Sequence, residues 1–76
     1  MSLYLVPAIV ELTPLNGMTA RLYVVGTNGR RARWDGPQQE VRRCEMAMLE
    51  AMSARTRIDL SLWPGMQVDT ELEWDE

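Results

Sequence analysis

The hydrophobic and polar positions follow a helical period in only one stretch of the chain, from Asp35 to Arg57. Its apolar side chains fall on one face of a helix and its charged side chains fall on the opposite face. Pro37 suits a first helical turn, and Asp35 or Gly36 is placed to act as the N-cap. The pattern predicts one amphipathic helix. Its core face comprises Val41, Cys44, Ala47, Met48, Ala51, Met52 and the stem of Arg55.

Two apolar side chains of this helix, Met46 and Leu49, fall outside the core stripe. The simpler interpretation is a wide buried stripe or harmless exposure, because single apolar residues are ordinary at a protein surface. The alternative is a contact patch for a partner or for a second copy of the chain, since methionine adapts easily to another surface. The sequence leaves both interpretations open.

The rest of the chain has the pattern of strands separated by turns. Residues 3–12 and 18–26 are rich in β-branched and aromatic side chains, and Pro7 places the first strand at a sheet edge or at a bulge. Residues 57–63 and 67–74 alternate between apolar and polar positions, and the first of these runs would place Leu60 and Leu62 in the core. Trp63-Pro64-Gly65-Met66 predicts a type II turn between the two runs. The predicted order is three strands, one helix and two strands. We therefore expect an α+β fold, in which a mostly antiparallel, twisted sheet carries the amphipathic helix on one face.

The sequence Thr27-Asn28-Gly29-Arg30 predicts a hairpin, because Asn-Gly favours a two-residue type I′ turn. That turn would pair position 25 with 32 and position 23 with 34. We expect the face without Arg31 and Arg33 to be the core face, because burial of two unpaired arginines would be costly. The core face would then comprise Tyr23, Val25, Ala32 and Trp34, and the opposite face Leu22, Val24, Arg31 and Arg33.

Size and composition limit the chemistry that the chain can perform. Its 76 residues are enough for one small domain, residues 1–76. It contains no histidine and a single cysteine, Cys44, which excludes an imidazole general base, an imidazole zinc ligand and an internal disulfide. We expect no enzymatic activity, no cofactor and no metal. The longest apolar run, Leu3–Val10, is too short to span a membrane and does not resemble a signal peptide, so we expect a cytoplasmic protein.

The most informative surface feature is acidic. Four carboxylates alternate along the last predicted strand, at intervals of roughly 6.8 Å, a spacing similar to that of phosphates along an extended nucleic acid. Such a row could occupy a basic groove on a nucleic-acid-binding protein. The simpler interpretations are a solvated edge strand, or salt bridges to Arg31 and Arg33 if those strands are neighbours. The row comprises Asp69, Glu71, Glu73 and Asp75, with Glu76 beyond it.

A second hypothesis is a small nucleic-acid-binding protein that uses the arginines of the hairpin. These residues, Arg21, Arg30, Arg31 and Arg33, would contact phosphates, and Tyr23 or Trp34 would stack on bases. The net charge of -3 and the absence of a recognised RNA-binding motif favour the simpler view that these arginines are solvated or ion-paired.

The leading hypothesis is a non-catalytic protein–protein interaction module, a small acidic inhibitor or regulator of a larger partner. The acidic row would supply the contacts together with Met46, Leu49 and Trp63, where Trp63 either packs beneath a turn or anchors an interface. In size, acidity, α+β pattern and lack of catalytic groups the chain resembles phage-encoded inhibitors, such as anti-CRISPR and anti-restriction proteins. The likeness is one of composition, and small regulatory or assembly proteins of phages and plasmids share it.

Overall fold

A computed structural model describes residues 4–63 and 65–68. It contains a four-stranded antiparallel sheet, in the order β2-β3-β4-β6, with one helix packed against it, so the predicted α+β class is confirmed. A separate ladder joins β1 to β5. The elements are β1 (Tyr4–Leu5), β2 (Pro7–Pro14), β3 (Thr19–Gly26), β4 (Arg31–Pro37), α1 (Gln38–Ala54), β5 (Ile58–Asp59), a 3₁₀ helix (Leu60–Leu62) and β6 (Gln67–Val68).

Both structural consequences expected of Pro7 are present. The strand that begins at Pro7, β2, lies at the edge of the four-stranded sheet. Its pairing with β3 shifts between Pro7 and Ile9, which is the irregularity of a β-bulge. A proline cannot donate a hydrogen bond to the ladder, so an edge or bulge position avoids leaving a neighbouring carbonyl without its donor.

The hairpin between β3 and β4 is one residue longer than the predicted two-residue turn. The Gly26 N–H donates to the Arg30 carbonyl at 2.7 Å, and the Gly29 N–H donates to the Gly26 carbonyl at 3.1 Å. Gly29 has a φ of 86°. These contacts define a three-residue loop that ends in a left-handed glycine, so the predicted type I′ turn is wrong.

The additional loop residue shifts the register by one position, so the predicted core and solvent faces of β3 are exchanged. The register pairs Val24 with Ala32 and Leu22 with Trp34, and the side chains of Leu22 and Val24 are buried. The predicted core positions in β4 are correct, but Tyr23 and Val25 lie on the opposite face. Side chains alternate with a period of two, so a slip of one position moves a whole strand's apolar set to the other face.

The helix begins later than predicted and without a side-chain cap. Pro37 occupies the N-cap position, and no side chain accepts a hydrogen bond from the first turn. Asp35 is not the N-cap, because it lies in β4 and binds Arg21 on the neighbouring strand. The Gln38 N–H donates instead to the Met18 carbonyl at 2.9 Å, which ties the start of the helix to the β2–β3 turn.

The core face of the helix agrees with the predicted one except at its end. The buried residues are Val41, Cys44, Met48 and Ala51, with Ala47 and Met52 half-buried. The helix ends at Ala54, and Arg55 is exposed with a φ of 56°, so its stem does not join the core as predicted. The Arg55 N–H donates to the Met52 carbonyl and the Thr56 N–H to the Ala51 carbonyl, which is the Schellman arrangement.

The predicted strand 57–63 is wrong beyond Asp59. The Asp59 Oδ1 accepts hydrogen bonds from the Ser61 N–H at 2.9 Å and from the Ser61 Oγ at 2.7 Å. These bonds lower the pKa of the Asp59 carboxyl and cap a 3₁₀ helix in place of an extended strand. Leu60 is buried as predicted, whereas Leu62, expected in the core, is 65% exposed.

The turn after Trp63 agrees with the prediction in the residues that the structure describes. The Met66 N–H donates to the Trp63 carbonyl at 3.2 Å, and Gly65 has the positive φ of 91° that a type II turn requires at its third position. Gln67 and Val68 then pair with β4. The remainder of the last predicted strand, residues 69–74, lies outside the described residues.

Candidate interaction surfaces

Cys44, the only thiol of the chain, lies in the core. Its side chain is fully buried, and burial raises the pKa of the Cys44 thiol to about 12. The thiol therefore stays protonated at neutral pH and is not exposed as a nucleophile. Among residues 4–63 and 65–68, no three His, Cys, Asp or Glu side chains are grouped so as to hold a metal ion.

The first surface is the solvent side of the helix, which we call the helix patch and define by Met46 and Leu49. Met46 is 69% exposed and Leu49 is 41% exposed, so a wide buried stripe does not account for them. The opposite side of α1 packs against β2, β3 and β4. The helix patch therefore faces away from the sheet, and it presents two exposed apolar side chains one turn apart.

The second surface is a cleft of about 340 Å³, which we call the tryptophan cleft. Trp63 is half-buried and packs against the core, and it also lines the cleft. Trp34 packs against the core as predicted and also lines the cleft, whereas Leu62 was expected in the core. The residues that line the cleft are Trp34, Glu40, Arg43, Leu62 and Trp63.

The third surface is the sheet face opposite the helix, which we call the open sheet face. The strand registers place one row of side chains across it, from Glu11 through Tyr23 and Arg33 to Gln67. Tyr23, predicted in the core, is thus at the centre of this face. The neighbouring rows contain Ile9, Val25 and Arg31 on one side, and Thr13, Arg21 and Asp35 on the other.

Two arginines of the open sheet face bind polar side chains of the same face. The Arg21 guanidinium contacts Asp35 through two hydrogen bonds, of 2.8 and 3.0 Å, which lower the pKa of the Asp35 carboxyl and raise that of Arg21. The Arg33 guanidinium donates to the Gln67 Oε1 at 2.6 Å. Both pairs are exposed to solvent, so each contributes little to stability.

Arg30 does not belong to the predicted basic surface. It is only 5% exposed, and its guanidinium donates to the Tyr4 carbonyl at 2.7 Å. Nearby, the Thr27 N–H donates to the Val6 carbonyl, and the Arg57 guanidinium lies 5.1 Å from the centre of the Tyr4 ring. Arg30 therefore ties the beginning of the chain to the hairpin, and its burial makes it a structural residue.

The acidic row predicted for phosphate mimicry, which includes Asp69, Glu71, Glu73 and Asp75, lies outside the described residues. One simpler interpretation, salt bridges to Arg31 and Arg33, requires the last strand to lie next to the strand that carries these arginines. β6 pairs directly with β4, through Arg33 opposite Gln67 and Ala32 opposite Val68. The last strand and the arginine-bearing strand are therefore neighbours where both are described.

No match emerges when the chain is compared with protein-family models, with curated proteins and with solved structures. No helix in the described ranges has the length and apolar character needed to cross a membrane. The three surfaces above are therefore the basis on which a function can be proposed.

Proposed function

We propose that the chain is a non-catalytic, cytoplasmic protein–protein interaction module that binds a larger partner and inhibits or regulates it. The observation that carries this proposal is the tryptophan cleft, which is lined by Trp34 and Trp63 and by the largely exposed Leu62. Tryptophan is the residue type most enriched among side chains that dominate interface energies. An apolar side chain of the partner that packs against them would lose contact with water, which favours binding.

The polar residues of the cleft fit the same role. Glu40 and Arg43, one turn apart on α1, contribute one charge of each sign to the cleft lining. Interfaces commonly surround a desolvated apolar centre with polar groups that fix orientation. Charges of both signs would orient a partner segment without requiring a strongly charged ligand.

The charge of the last residues indicates the class of partner. Positions 69–76 contain five acidic residues and no basic residue. Such a concentration of negative charge raises the association rate with a basic surface. We therefore propose a partner with a basic groove that otherwise holds nucleic acid, as in the targets of anti-CRISPR-like inhibitors, with Asp69, Glu71, Glu73 and Asp75 entering that groove.

This proposal is tested by two variants with different expected kinetics. Leu62→Asp should weaken binding of the partner at least tenfold through faster dissociation, because a charge would replace an apolar side chain that packs against the partner. Reversal of charge at Asp69, Glu71 and Glu73 should slow association and reduce its dependence on salt. The partner is recovered by affinity capture from the source cell, and its binding is then measured by surface plasmon resonance with purified proteins.

The control is Met18→Asp, which introduces the same charge at a residue that is 81% exposed and does not line the cleft. It should leave the affinity unchanged. Equal affinities for the wild-type chain, the cleft variant and the charge-reversed variant would refute the proposal, as would an equal loss in all three variants.

A second candidate function, nucleic-acid binding, is favoured by one specific observation. Tyr23 lies at the centre of the open sheet face with Arg33 directly beside it, and Arg31 is exposed on the same strand as Arg33. An aromatic ring on a sheet surface, flanked by cations, is the arrangement with which several modules stack and hold single-stranded nucleic acid. The overall charge of -3 opposes this function and makes it the second choice.

For this candidate we expect binding of single-stranded RNA at low salt that weakens steeply as salt increases. Tyr23→Leu should reduce the affinity by about 1–3 kcal/mol, the range for one stacked base, whereas Tyr23→Phe should retain it. Replacing Arg31 and Arg33 by glutamine should reduce the salt slope by about 0.7 for each phosphate that these arginines neutralise. Fluorescence anisotropy with a labelled oligonucleotide provides the measurement, and the absence of binding at low salt would dispose of the candidate.

A further inference from the structure

The solvent side of α1 carries a regular stripe of side chains centred on the helix patch. These residues recur at alternating intervals of three and four positions, which is the spacing of a helix–helix seam. The two central positions are apolar, Met46 and Leu49, and the outer positions are polar. The stripe comprises Gln39, Arg42, Met46, Leu49 and Ser53.

Two exposed residues of opposite charge, Arg43 and Glu50, flank one side of this stripe. They are seven positions apart, two turns along the same edge of the helix, and so are too far apart to pair with each other. Within the part of the chain that the structure describes, neither side chain takes part in an ion pair. The other side of the stripe carries Glu45 and Met52.

We infer that the helix patch binds a second copy of this chain, with the two α1 helices antiparallel about a twofold axis between Met46 and Leu49. In that arrangement Met46 of each copy packs against Leu49 of the other copy. Symmetry brings Arg43 of each copy beside Glu50 of the other, so two interchain ion pairs form on the same edge. Towards each end of the stripe, Arg42 of one copy lies beside Ser53 of the other copy. The Arg42 guanidinium therefore stays in contact with solvent.

The charge pattern selects this orientation over the parallel one. In a parallel pair, each stripe residue meets its own counterpart, so Arg42 would face Arg42 of the other copy. The flanking positions would bring Glu45 beside Glu50 of the other copy, twice. These like charges would oppose association of a parallel pair. The antiparallel pair instead has two attractive Arg43–Glu50 contacts on one edge. On its other edge, Glu45 lies near the uncharged Met52.

One helix face with two apolar side chains offers less area than a standard stable interface, so the dimer belongs to the weak, concentration-dependent class. This inference does not rest on the proposed function. Arg43 belongs to both surfaces, since it lines the tryptophan cleft and flanks the stripe, whereas Met46 and Leu49 do not line the cleft. A change at Met46 therefore tests the dimer without altering a residue of the cleft.

The test is sedimentation velocity of the purified chain over a range from micromolar to millimolar concentration. The wild-type chain should pass from monomer to dimer, and Met46→Glu should weaken dimerisation at least tenfold. Met18→Glu is the matched control, because it places the same charge at another exposed methionine, and it should dimerise like the wild-type chain. A chain that stays monomeric throughout, or dimers unaffected by Met46→Glu, would overturn the inference.

A charge exchange tests the orientation. Arg43→Glu and Glu50→Arg should each weaken the dimer at least tenfold, because each places like charges together twice. The double variant restores both ion pairs with their signs reversed, and it should return to within about threefold of the wild-type dissociation constant. A double variant as weak as the single variants would contradict the antiparallel pairing, and circular dichroism of each variant confirms that α1 is intact.

Discussion

Replacing Leu22 by alanine is expected to lower the free energy of unfolding by about 2–5 kcal/mol. Leu22 has no exposed surface and lies on β3, a central strand whose inner face packs against α1. The substitution removes buried methyl groups and leaves a cavity that a rigid sheet closes poorly. A chain of this length has a total stability of about 4–11 kcal/mol, so the loss is a large share of it. Urea unfolding followed by circular dichroism measures the difference.

The matched control is a pair of neighbouring valines on opposite faces of the same strand. Val24 is 1% exposed, whereas Val25 lies on the open sheet face and is half-buried. Val24→Ala and Val25→Ala change the same side chain in the same strand, so the difference between them reports burial alone. Val24→Ala should be the more destabilising by about 1 kcal/mol or more. The opposite order would contradict the register of the hairpin.

The second large effect is expected at Cys44, which should react with a thiol reagent at least a thousandfold more slowly in the folded chain than in the unfolded chain. The thiolate is the reactive form, and burial raises the pKa of Cys44 from 9.0 to about 12. The side chain also has no exposed surface. Labelling with a chromogenic disulfide at pH 8, with and without denaturant, measures the ratio.

The labelling rate also provides a cross-check, because reaction requires the core to open. Leu22→Ala should accelerate labelling of Cys44 by about tenfold for each 1.4 kcal/mol of stability that it removes, as long as opening and reclosing are faster than labelling. Fast labelling of the folded wild-type chain would contradict the burial of Cys44.

The raised pKa of the Cys44 thiol also makes the free energy of unfolding depend on pH under alkaline conditions. Well below pH 9 the thiol is protonated in both folded and unfolded chains, so its contribution is constant. Between pH 9 and about 12 the unfolded chain releases the proton and the folded chain retains it, so stability falls as pH rises. Cys44→Ala should show a smaller decrease over this range, which separates the thiol from the other groups that titrate there.

The sequence was sufficient to predict those elements whose signals are local. The period of apolar positions identified α1 and most of its buried face, and Pro7 identified an edge strand with a bulge. The N-cap was missed because Asp35 lies in β4, where its side chain binds Arg21, a residue distant in sequence. The end of the helix was missed because an arginine adopts the left-handed conformation that is more usual for glycine.

The hairpin register was missed because Asn-Gly suits both a two-residue turn and a three-residue loop. A signal within β3 could have decided between them. The face that carries Tyr23 and Val25 also carries Thr19 and Arg21, whereas the other face is apolar throughout. When Leu22 and Val24 are buried, every polar side chain of β3 stays on the exposed face. The alternation within β3 therefore predicts the buried face better than the turn sequence does.

The tryptophan cleft could not be predicted, since it joins residues from β4, α1 and the segment after β5. Only the exposure of Leu62 had a local signal. Asp59 followed two positions later by Ser61 is a pattern that caps a helical turn, and such a turn interrupts the alternation that assigned Leu62 to the core.

The small ladder between β1 and β5 has a consequence for the local stability of the cleft. The wall that carries Leu62 and Trp63 directly follows β5, which pairs with β1 through only two residue pairs. These pairs join positions that are far apart in sequence, so their formation restricts a long loop and costs conformational entropy. Opening this two-pair ladder between β1 and β5 requires less free energy than disrupting the four-stranded sheet. We therefore expect local opening of the segment that carries Leu62 and Trp63 to require less free energy than opening of the four-stranded sheet.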